Sequence, residues 1–333
     1  MKVAIFAGGT GGHIFPGISI AEKFSKEEVI FFCSSRKLEK EIFSNIGYRA
    51  IHLNIEGFRG KSLTQKILWP LKLANCCLKA FAVAKKYKVD RVLLMGGYVS
   101  IIGWILSKVK KLKLYIHEQN SILGSANKLA YKSSITIFTS HLLNLPNEKL
   151  TGNPIRNNFL NKNYDANENR NKVLIFGGSQ GSRYFVENLA STLDSIIKES
   201  QIIFQTGGNQ PKFKSDNIVY KEFIDDLPSL FDEVKFVICR SGATTVAEIQ
   251  SYGMPAIFIP LKNSIDNHQL LNAKAACLEG GGMVVEEGES TTEDLIAAIS
   301  ELQSSDLTQM SKKMKKDIHF EAAEIIANEI KQN

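Results

Sequence analysis

Gly8, Gly9, Gly11 and Gly12 crowd into the five residues before His13. A glycine turn lets backbone N–H groups close on phosphate oxygens, and a helix beginning there adds partial positive charge. That same positive end disfavours an imidazolium, so His13 reads as a neutral ring able to take a proton. His13 has a second possible role, capping the loop or binding an anion without proton transfer. Gly177-Gly178-Ser179-Gln180-Gly181 repeats the pattern, and Gly96-Gly97 and Gly207-Gly208 are further glycine pairs. Tight packing of a strand on the helix that follows also demands glycine, so one such loop alone decides nothing. A dinucleotide fold needs G-x-G-x-x-G and an acid closing the second strand. Here Gly9-Thr10-Gly11-Gly12-His13-Ile14 breaks the glycine rule, and the second strand ends in Cys33-Ser34-Ser35. No glycine loop ends in Gly-Lys-Ser or Gly-Lys-Thr, which excludes a P-loop nucleotidase.

The elements that must position these loops are legible. Val3–Ala7, Val92–Met95, Val173–Phe176 and Ile202–Thr206 are apolar runs, each ending in a glycine pair, and suit buried parallel strands. Helical patterns over 15–24 and 184–197 follow the first and third, giving a strand, glycine-loop, helix unit twice: two α/β halves. With 333 residues, 44% hydrophobic, the chain has length for two domains of about 150 residues. Residues 157–172, rich in Asn, Asp, Glu and Lys, read as the linker between a domain at 1–156 and another at 173–309. Met310, Met314, Ile318, Ala322, Ile325, Ile326 and Ile330 predict a terminal helix within 310–333, packed on the first domain or bridging to it.

Cys33, Cys76, Cys77, Cys239 and Cys277 form an odd set without C-x-x-C spacing, so they encode neither disulfides nor zinc and read as small buried apolar residues. Lys and Arg number 41 against 34 Asp and Glu, a net charge of +7 that attracts nucleic acid, anionic lipid or phosphorylated substrates without choosing among them. No nucleic-acid motif accompanies the charge, so nucleic acid is not an expected partner. No uninterrupted apolar run reaches the roughly 18 residues of a membrane span, and the apolar start stops at Ala7, too short for a secretory signal. The expectation is a cytosolic protein.

GGTGGHIFPG (8–17), GGYVS (96–100), HEQN (117–120), TGNPIR (151–156), GGSQG (177–181), EFIDD (222–226) and CRSGATTVAE (239–248) follow one another in the order seen in the MurG family, which the whole chain resembles. The resemblance implies an α/β fold of GT-B type: two Rossmann-like domains with parallel sheets, facing each other across a cleft. It implies an inverting transfer of N-acetylglucosamine from UDP-GlcNAc, held by the C-terminal half, to lipid I, held by the N-terminal half, to give lipid II. Another GT-B enzyme with a glycolipid acceptor, or a non-catalytic nucleotide-sugar-binding protein at the membrane, remains an alternative at this point. No cofactor is expected, because no Asp-x-Asp metal motif is present.

By resemblance, His13 is the base and Glu118 a second candidate. Gly11, Gly12, Gly96, Gly97, Tyr98 and Asn120 line the acceptor site. Thr10, Gly11, Gly12, Asn120 and Arg156 also belong to the implied donor set, with Ser179, Gln180, Gly181, Arg240, Ser241, Gly242, Ala243, Thr244 and Thr245. Glu248 would accept the ribose hydroxyls bidentately, although an acid early in a helix also complements its dipole. Phe223 and Ile224 would wall the uracil or, alternatively, pack a strand end. His268 and Gln269 would read the sugar or stand as solvated loop residues. Two departures from the family pattern are Ile101-Ile102 after GGYVS and Val186 after GGSQG.

A lipid-linked acceptor calls for contact with the bilayer surface. Leu68, Trp69, Phe81 and other apolar residues alternate with Lys72 and its neighbours over 66–88, and Trp104 adds a second group with the lysines at 108–113. Each lysine near an anionic surface contributes about 1 kcal/mol, giving an expected peripheral attachment at the cytoplasmic face of the inner membrane. A core-facing helix with a solvated basic face is the other reading.

Overall fold

The computed structural model describes residues 1–58, 62–167, 169–178 and 181–333. The chain divides into one unit of Met1–Arg156 with Ile318–Asn333, and a second of Asn157–Asp317.

The first unit is built on strands β1 (Val3–Phe6), β2 (Val29–Ser34), β3 (Arg49–Leu53), β4 (Arg91–Leu94), β5 (Lys113–Glu118), β6 (Thr136–Thr139) and β7 (Glu148–Leu150). They form one parallel sheet in the order β3-β2-β1-β4-β5-β6-β7. β1 reads Val-Ala-Ile-Phe and is buried along its whole length, because helices cover both faces of a parallel sheet. Helices α1 (Gly11–Ala21), α2 (Lys37–Ile46), α3 (Leu63–Tyr87), α4 (Ser100–Lys110) and α5 (Ser125–Ala130) supply that cover.

The second unit repeats the plan. Strands β8 (Lys172–Phe176), β9 (Gln201–Gln205), β10 (Ile218–Lys221), β11 (Val234–Cys239), β12 (Ala256–Phe258) and β13 (Gly282–Val284) lie parallel in the order β10-β9-β8-β11-β12-β13. Helices α6 (Ala190–Ile196), α7 (Leu227–Phe231), α8 (Ala243–Tyr252), α9 (His268–Cys277), α10 (Thr291–Ser304) and α11 (Leu307–Met314) belong to it, and α12 (Ala322–Gln332) returns to the first unit. In each sheet the strand order reverses beside the first strand, between β1 and β4 and between β8 and β11. Such switch points open a crevice at the carboxyl ends of the strands, where open α/β sheets bind ligands.

Three expectations change. Residues 157–172 are not a linker: Phe159 is fully buried against Phe231, and the Arg170 guanidinium lies inside the second unit, donating to the carbonyls of Phe231 and Val234. Polar composition concealed a segment in which Phe159, Lys162, Tyr164 and Arg170 are engaged by the second unit. The single terminal helix breaks into α11, a short 3-10 turn Asp317–His319, and α12. Met310 belongs to the core of the second unit, while Ile326, Ala327 and Ile330 pack with Ile18, Ile20 and Ala21 of α1 in the first.

The third change concerns α3. Among the described residues Ile67–Tyr87 is the one helix long and apolar enough to cross a membrane, because its lysines interrupt the apolar run without offsetting its leucines and alanines. Cys76, Cys77, Ala80 and Ala84 form its buried stripe against the sheet, whereas Ile67, Leu68, Leu71 and Leu78 are more than half exposed. Trp69, Phe81 and Trp104 are half-buried on the core instead of joining the exposed stripe. The indole N–H of Trp69 donates to the Glu56 carbonyl, and that of Trp104 to Ser133 Oγ. Burial raises the pKa of all five thiols, leaving them packing groups.

Candidate active site

At the switch point of the first sheet, the loop after β1 meets the loop after β4. Gly9, at φ +97°, donates its N–H to Glu39 Oε1 at 2.9 Å, and Ser34 gives the same carboxylate its N–H at 2.6 Å and its hydroxyl at 2.5 Å. Arg36 donates to the Gly9 carbonyl at 2.7 Å. The Gly9 amide thus serves the fold. Glu39, only 2% exposed, escaped the sequence reading; its one signal was an acid in the first turn of α2.

His13 is the third residue of α1 and is half-buried. Its ring lies between two glycines. A Cβ on Gly96 would stand 3.0 Å from His13 Cε1, and one on Gly97 would stand 3.2 Å from Cδ2 and 2.7 Å from the Gly8 carbonyl. Both glycines also take positive φ, +94° and +73°, so the pair is required twice over. Tyr98 lays its ring against Gly9, with Arg36 5.9 Å from the ring centroid. Behind the imidazole, Gln119 Oε1 sits 3.2 Å from His13 Nδ1. Gln119 was passed over in the sequence for its neighbours Glu118 and Asn120; nothing in residue type singled it out.

Glu118 is placed otherwise than as a base. It is 1% exposed and accepts from the backbone of Asn120 and Gly124 and from the side chains of Asn120 and Asn127, at 2.8–3.1 Å. A carboxylate with four donors on it anchors the loop into α5 and has no room for an acceptor proton. Asn120 is half-buried beside it, and Arg156 lies 5.9 Å over the Phe15 ring. Thr10 precedes α1 as its extended N-cap residue, and Gly11 and Gly12 open the helix.

In the second unit, a Cβ on Gly177 would fall 2.4 Å from the Gly181 backbone, and one on Gly181 2.4 Å from the Thr206 carbonyl; Gly178 has nothing within 4 Å. Gly177 and Gly181 therefore pack closely against backbone, whereas Gly178 stands clear of other atoms. Ser179 and Gln180 lie outside the described residues. Gly242, Ala243, Thr244 and Thr245 are half-exposed at the amino end of α8, and Glu248 follows within the same helix, 5% exposed. Phe223, just past β10, is 52% exposed, so it is no core residue; Ile224 is half-buried.

Arg240 does not reach toward a ligand. Its guanidinium donates to the carbonyls of Ile259 and Pro260 and to Ser182 Oγ, pairs with Glu287 at 2.6 Å, and stacks 4.5 Å from the Phe185 ring centroid. Burial lowers its pKa, and Glu287 opposes that shift. It braces the loops around β11. Ser241 is also internal, its hydroxyl donating to the Gln269 carbonyl at 2.7 Å. Gln269 Oε1 accepts from the Leu261 N–H at 2.9 Å, while His268 is half-exposed at the start of α9. The loop before it holds Asn263, Asp266 and Asn267 at positive φ, a conformation that short Asx side chains tolerate. Val186 is 1% exposed in the core, so no polar contact is lost to a ligand there. Among the described residues, no three His, Cys, Asp or Glu side chains come together as metal ligands.

Two family models match the chain: the glycosyltransferase family 28 N-terminal domain over residues 3–139 and its C-terminal domain over 172–328. The UDP-N-acetylglucosamine--N-acetylmuramyl-(pentapeptide) pyrophosphoryl-undecaprenol N-acetylglucosamine transferase of Histophilus somni is 31% identical, over 94% of this chain and 93% of its own. The protein of the same name from Buchnera aphidicola is 34% identical, over 94% of each. The crystal structure of MurG from Acinetobacter baumannii superposes with a TM-score of 0.82 at 25% identity over both full lengths. The kitacinnamycin glycotransferase, at 11% identity and a TM-score of 0.74, shares the fold.

Proposed function

From a chain that belongs to the MurG family within glycosyltransferase family 28, we infer the reaction: N-acetylglucosamine passes from UDP-GlcNAc to the 4-hydroxyl of the N-acetylmuramyl group of lipid I, with inversion, giving lipid II for peptidoglycan. The observation that carries it is identity above 30% over nearly the whole of both chains. Transfer of labelled GlcNAc to lipid I tests it, and transfer only to other acceptors would overturn it.

In the mechanism we assign, His13 takes the proton of the 4-hydroxyl as that oxygen bonds to the anomeric carbon from the face opposite the leaving group. The bond from that carbon to the donor phosphate breaks, and UDP departs with the electron pair. Loop amides around Gly178 and Gly181, with the amino end of α8 at Gly242–Thr245, offset the negative charge that grows on the diphosphate. Gly11, Gly12, Gly96, Gly97, Tyr98 and Asn120 hold the acceptor end. Phe223 and Ile224 flank the uracil, and His268 and Gln269 meet the sugar. Glu248 accepts the ribose hydroxyls. Glu248→Ala leaves those hydroxyls unpaired, a loss of about 1 to 3 kcal/mol, so UDP should bind roughly 5- to 150-fold more weakly by titration. Unchanged affinity would remove Glu248 from the site.

We assign the surface of α3 to an anionic bilayer at the cytoplasmic face, with attachment carried by the aliphatic stripe Ile67, Leu71 and Leu78 and by exposed lysines such as Lys72, instead of by the half-buried tryptophans. Ile67→Ser with Leu71→Ser and Leu78→Ser should release the chain from anionic vesicles while UDP binding and the thermal melt hold. Salt should weaken wild-type binding, since screening shortens electrostatic reach to about 3 Å at 1 M. Undiminished vesicle binding by the triple variant would defeat the assignment.

A further inference from the structure

Two side chains behind the His13 ring, Gln119 and His117, are oriented from the far end by a group whose hydrogen-bonding role cannot change. At the far end, His117 Nε2 lies 3.2 Å from the Gly152 carbonyl. A carbonyl only accepts, so that nitrogen carries the proton. His117 is fully buried, and burial lowers its pKa to about 4, so the ring is neutral and its Nδ1 is a lone pair. Gln119 Nε2 stands 2.9 Å from that Nδ1 and 3.3 Å from the carbonyl of His117 itself. Both are acceptors, which makes this end of the amide the NH2. Turning the amide over would set its oxygen against a lone pair and a carbonyl oxygen together. Gln119 Oε1 therefore faces His13 Nδ1 at 3.2 Å, and an amide oxygen can only accept.

The backbone that frames this chain is equally constrained. Gly152 sits at φ +79°, and a Cβ there would stand 2.7 Å from the Ile318 carbonyl, so the residue whose carbonyl anchors the series cannot bear a side chain. Asn153 Nδ2 donates to the Gln119 carbonyl at 3.2 Å, holding that backbone from the same loop.

We propose that Gln119 is a positioning residue which, backed by His117 and the Gly152 carbonyl, holds His13 in the Nδ1–H tautomer, so that Nε2 is the nitrogen that receives the acceptor proton. The catalytic half of this statement rests on the reading of His13 as the base; the tautomer stands without it. Gly97 lies along the Cδ2–Nε2 edge, where a Cβ would come 3.5 Å from Nε2, so no side chain of Gly97 stands against the basic nitrogen. A base held in the wrong tautomer presents a proton where a lone pair is needed, and the reaction then loses what general base catalysis contributes.

The test is a long-range proton–nitrogen spectrum of the full chain labelled with 15N-histidine at alkaline pH, with His13 identified by the signals missing in His13→Gln. The expected wild-type pattern is Nδ1 protonated and Nε2 bare. Gln119→Leu should mix the tautomers and lower kcat about 100-fold, with KM for UDP-GlcNAc unchanged. Unchanged fluorescence of Trp69 and Trp104 in Gln119→Leu, both in the same unit, together with the wild-type KM for UDP-GlcNAc, separates positioning from a general loss of fold. A wild-type His13 protonated on Nε2 would overturn the proposal, as would Gln119→Leu with unaltered tautomer and kcat. Full turnover by His13→Gln beside an Nδ1–H wild type would instead sink the base reading, so the two failures are distinct.

Discussion

His13→Gln should lower the rate of GlcNAc transfer by about 100- to 10,000-fold, the range a positioned base contributes. The loss belongs in kcat. Every donor contact assigned in the C-terminal unit is untouched, so UDP affinity by titration should match the wild type. Glutamine also keeps a group of similar reach between Gly96 and Gly97, so the cradle has no cavity to collapse into. The acceptor 4-hydroxyl still has its pKa near that of an alcohol, and without a base its proton must leave to water during attack. Rapid-quench measurement of transfer under saturating donor and acceptor isolates the chemical step. A turnover within a few-fold of wild type would assign His13 to loop capping or anion binding.

Acid should destabilise the N-terminal unit well before its carboxylates protonate. His117 and His319 are buried, and burial lowers their pKa to about 4 and about 3. His141, lowered the same way, lies close enough to depress His319 further. In the unfolded chain these rings take up protons near pH 6.5, whereas the folded unit refuses them until pH falls through the lower values. Unfolding therefore binds protons in that window. Stability is full above about pH 6.5 and falls as pH drops toward 4, by on the order of 2 to 3 kcal/mol per pH unit for His117 and His319 together. Both tryptophans, Trp69 and Trp104, lie in this unit, so urea unfolding followed by their fluorescence reports on it alone. His319→Asn keeps an oxygen to accept the Asn153 N–H that His319 Nδ1 now accepts at 2.9 Å. It should remove about half of the slope. A stability that stays flat from pH 7 to 4.5 would contradict the burial argument.

The fold was legible because its signals are local. A run such as Val3–Phe6, apolar at every position and closed by glycines, has few stable outcomes other than a strand covered on both faces. Glycine loops after β1, β4 and β8 follow from strand meeting helix, and their family order identified the reaction class. Where two local signals competed, the sequence misled. The polar surface of residues 157–172 masked Phe159 and Arg170 in the core.

Chemical roles within the site were a different matter. Glu118 and Arg240 look like ligand-binding groups by type, yet each finds its hydrogen-bond partners inside the protein. Conversely, Gln119, Glu39 and the Gly152 carbonyl carry no signature in one dimension. Residue type states what a group can donate or accept, and spacing along a strand or helix states which face it occupies; both are properties of the chain. Which partner consumes that capacity depends on groups brought together from distant positions, as when His13 of α1, Gln119 beyond β5 and Gly152 beyond β7 line up over 3 Å steps. The amino-acid sequence thus determined two parallel α/β units, their glycine loops and the imidazole at the mouth of the first. Only the tertiary structure decided which nitrogen of that imidazole holds the proton, because a tautomer is set by the neighbours that close on the ring.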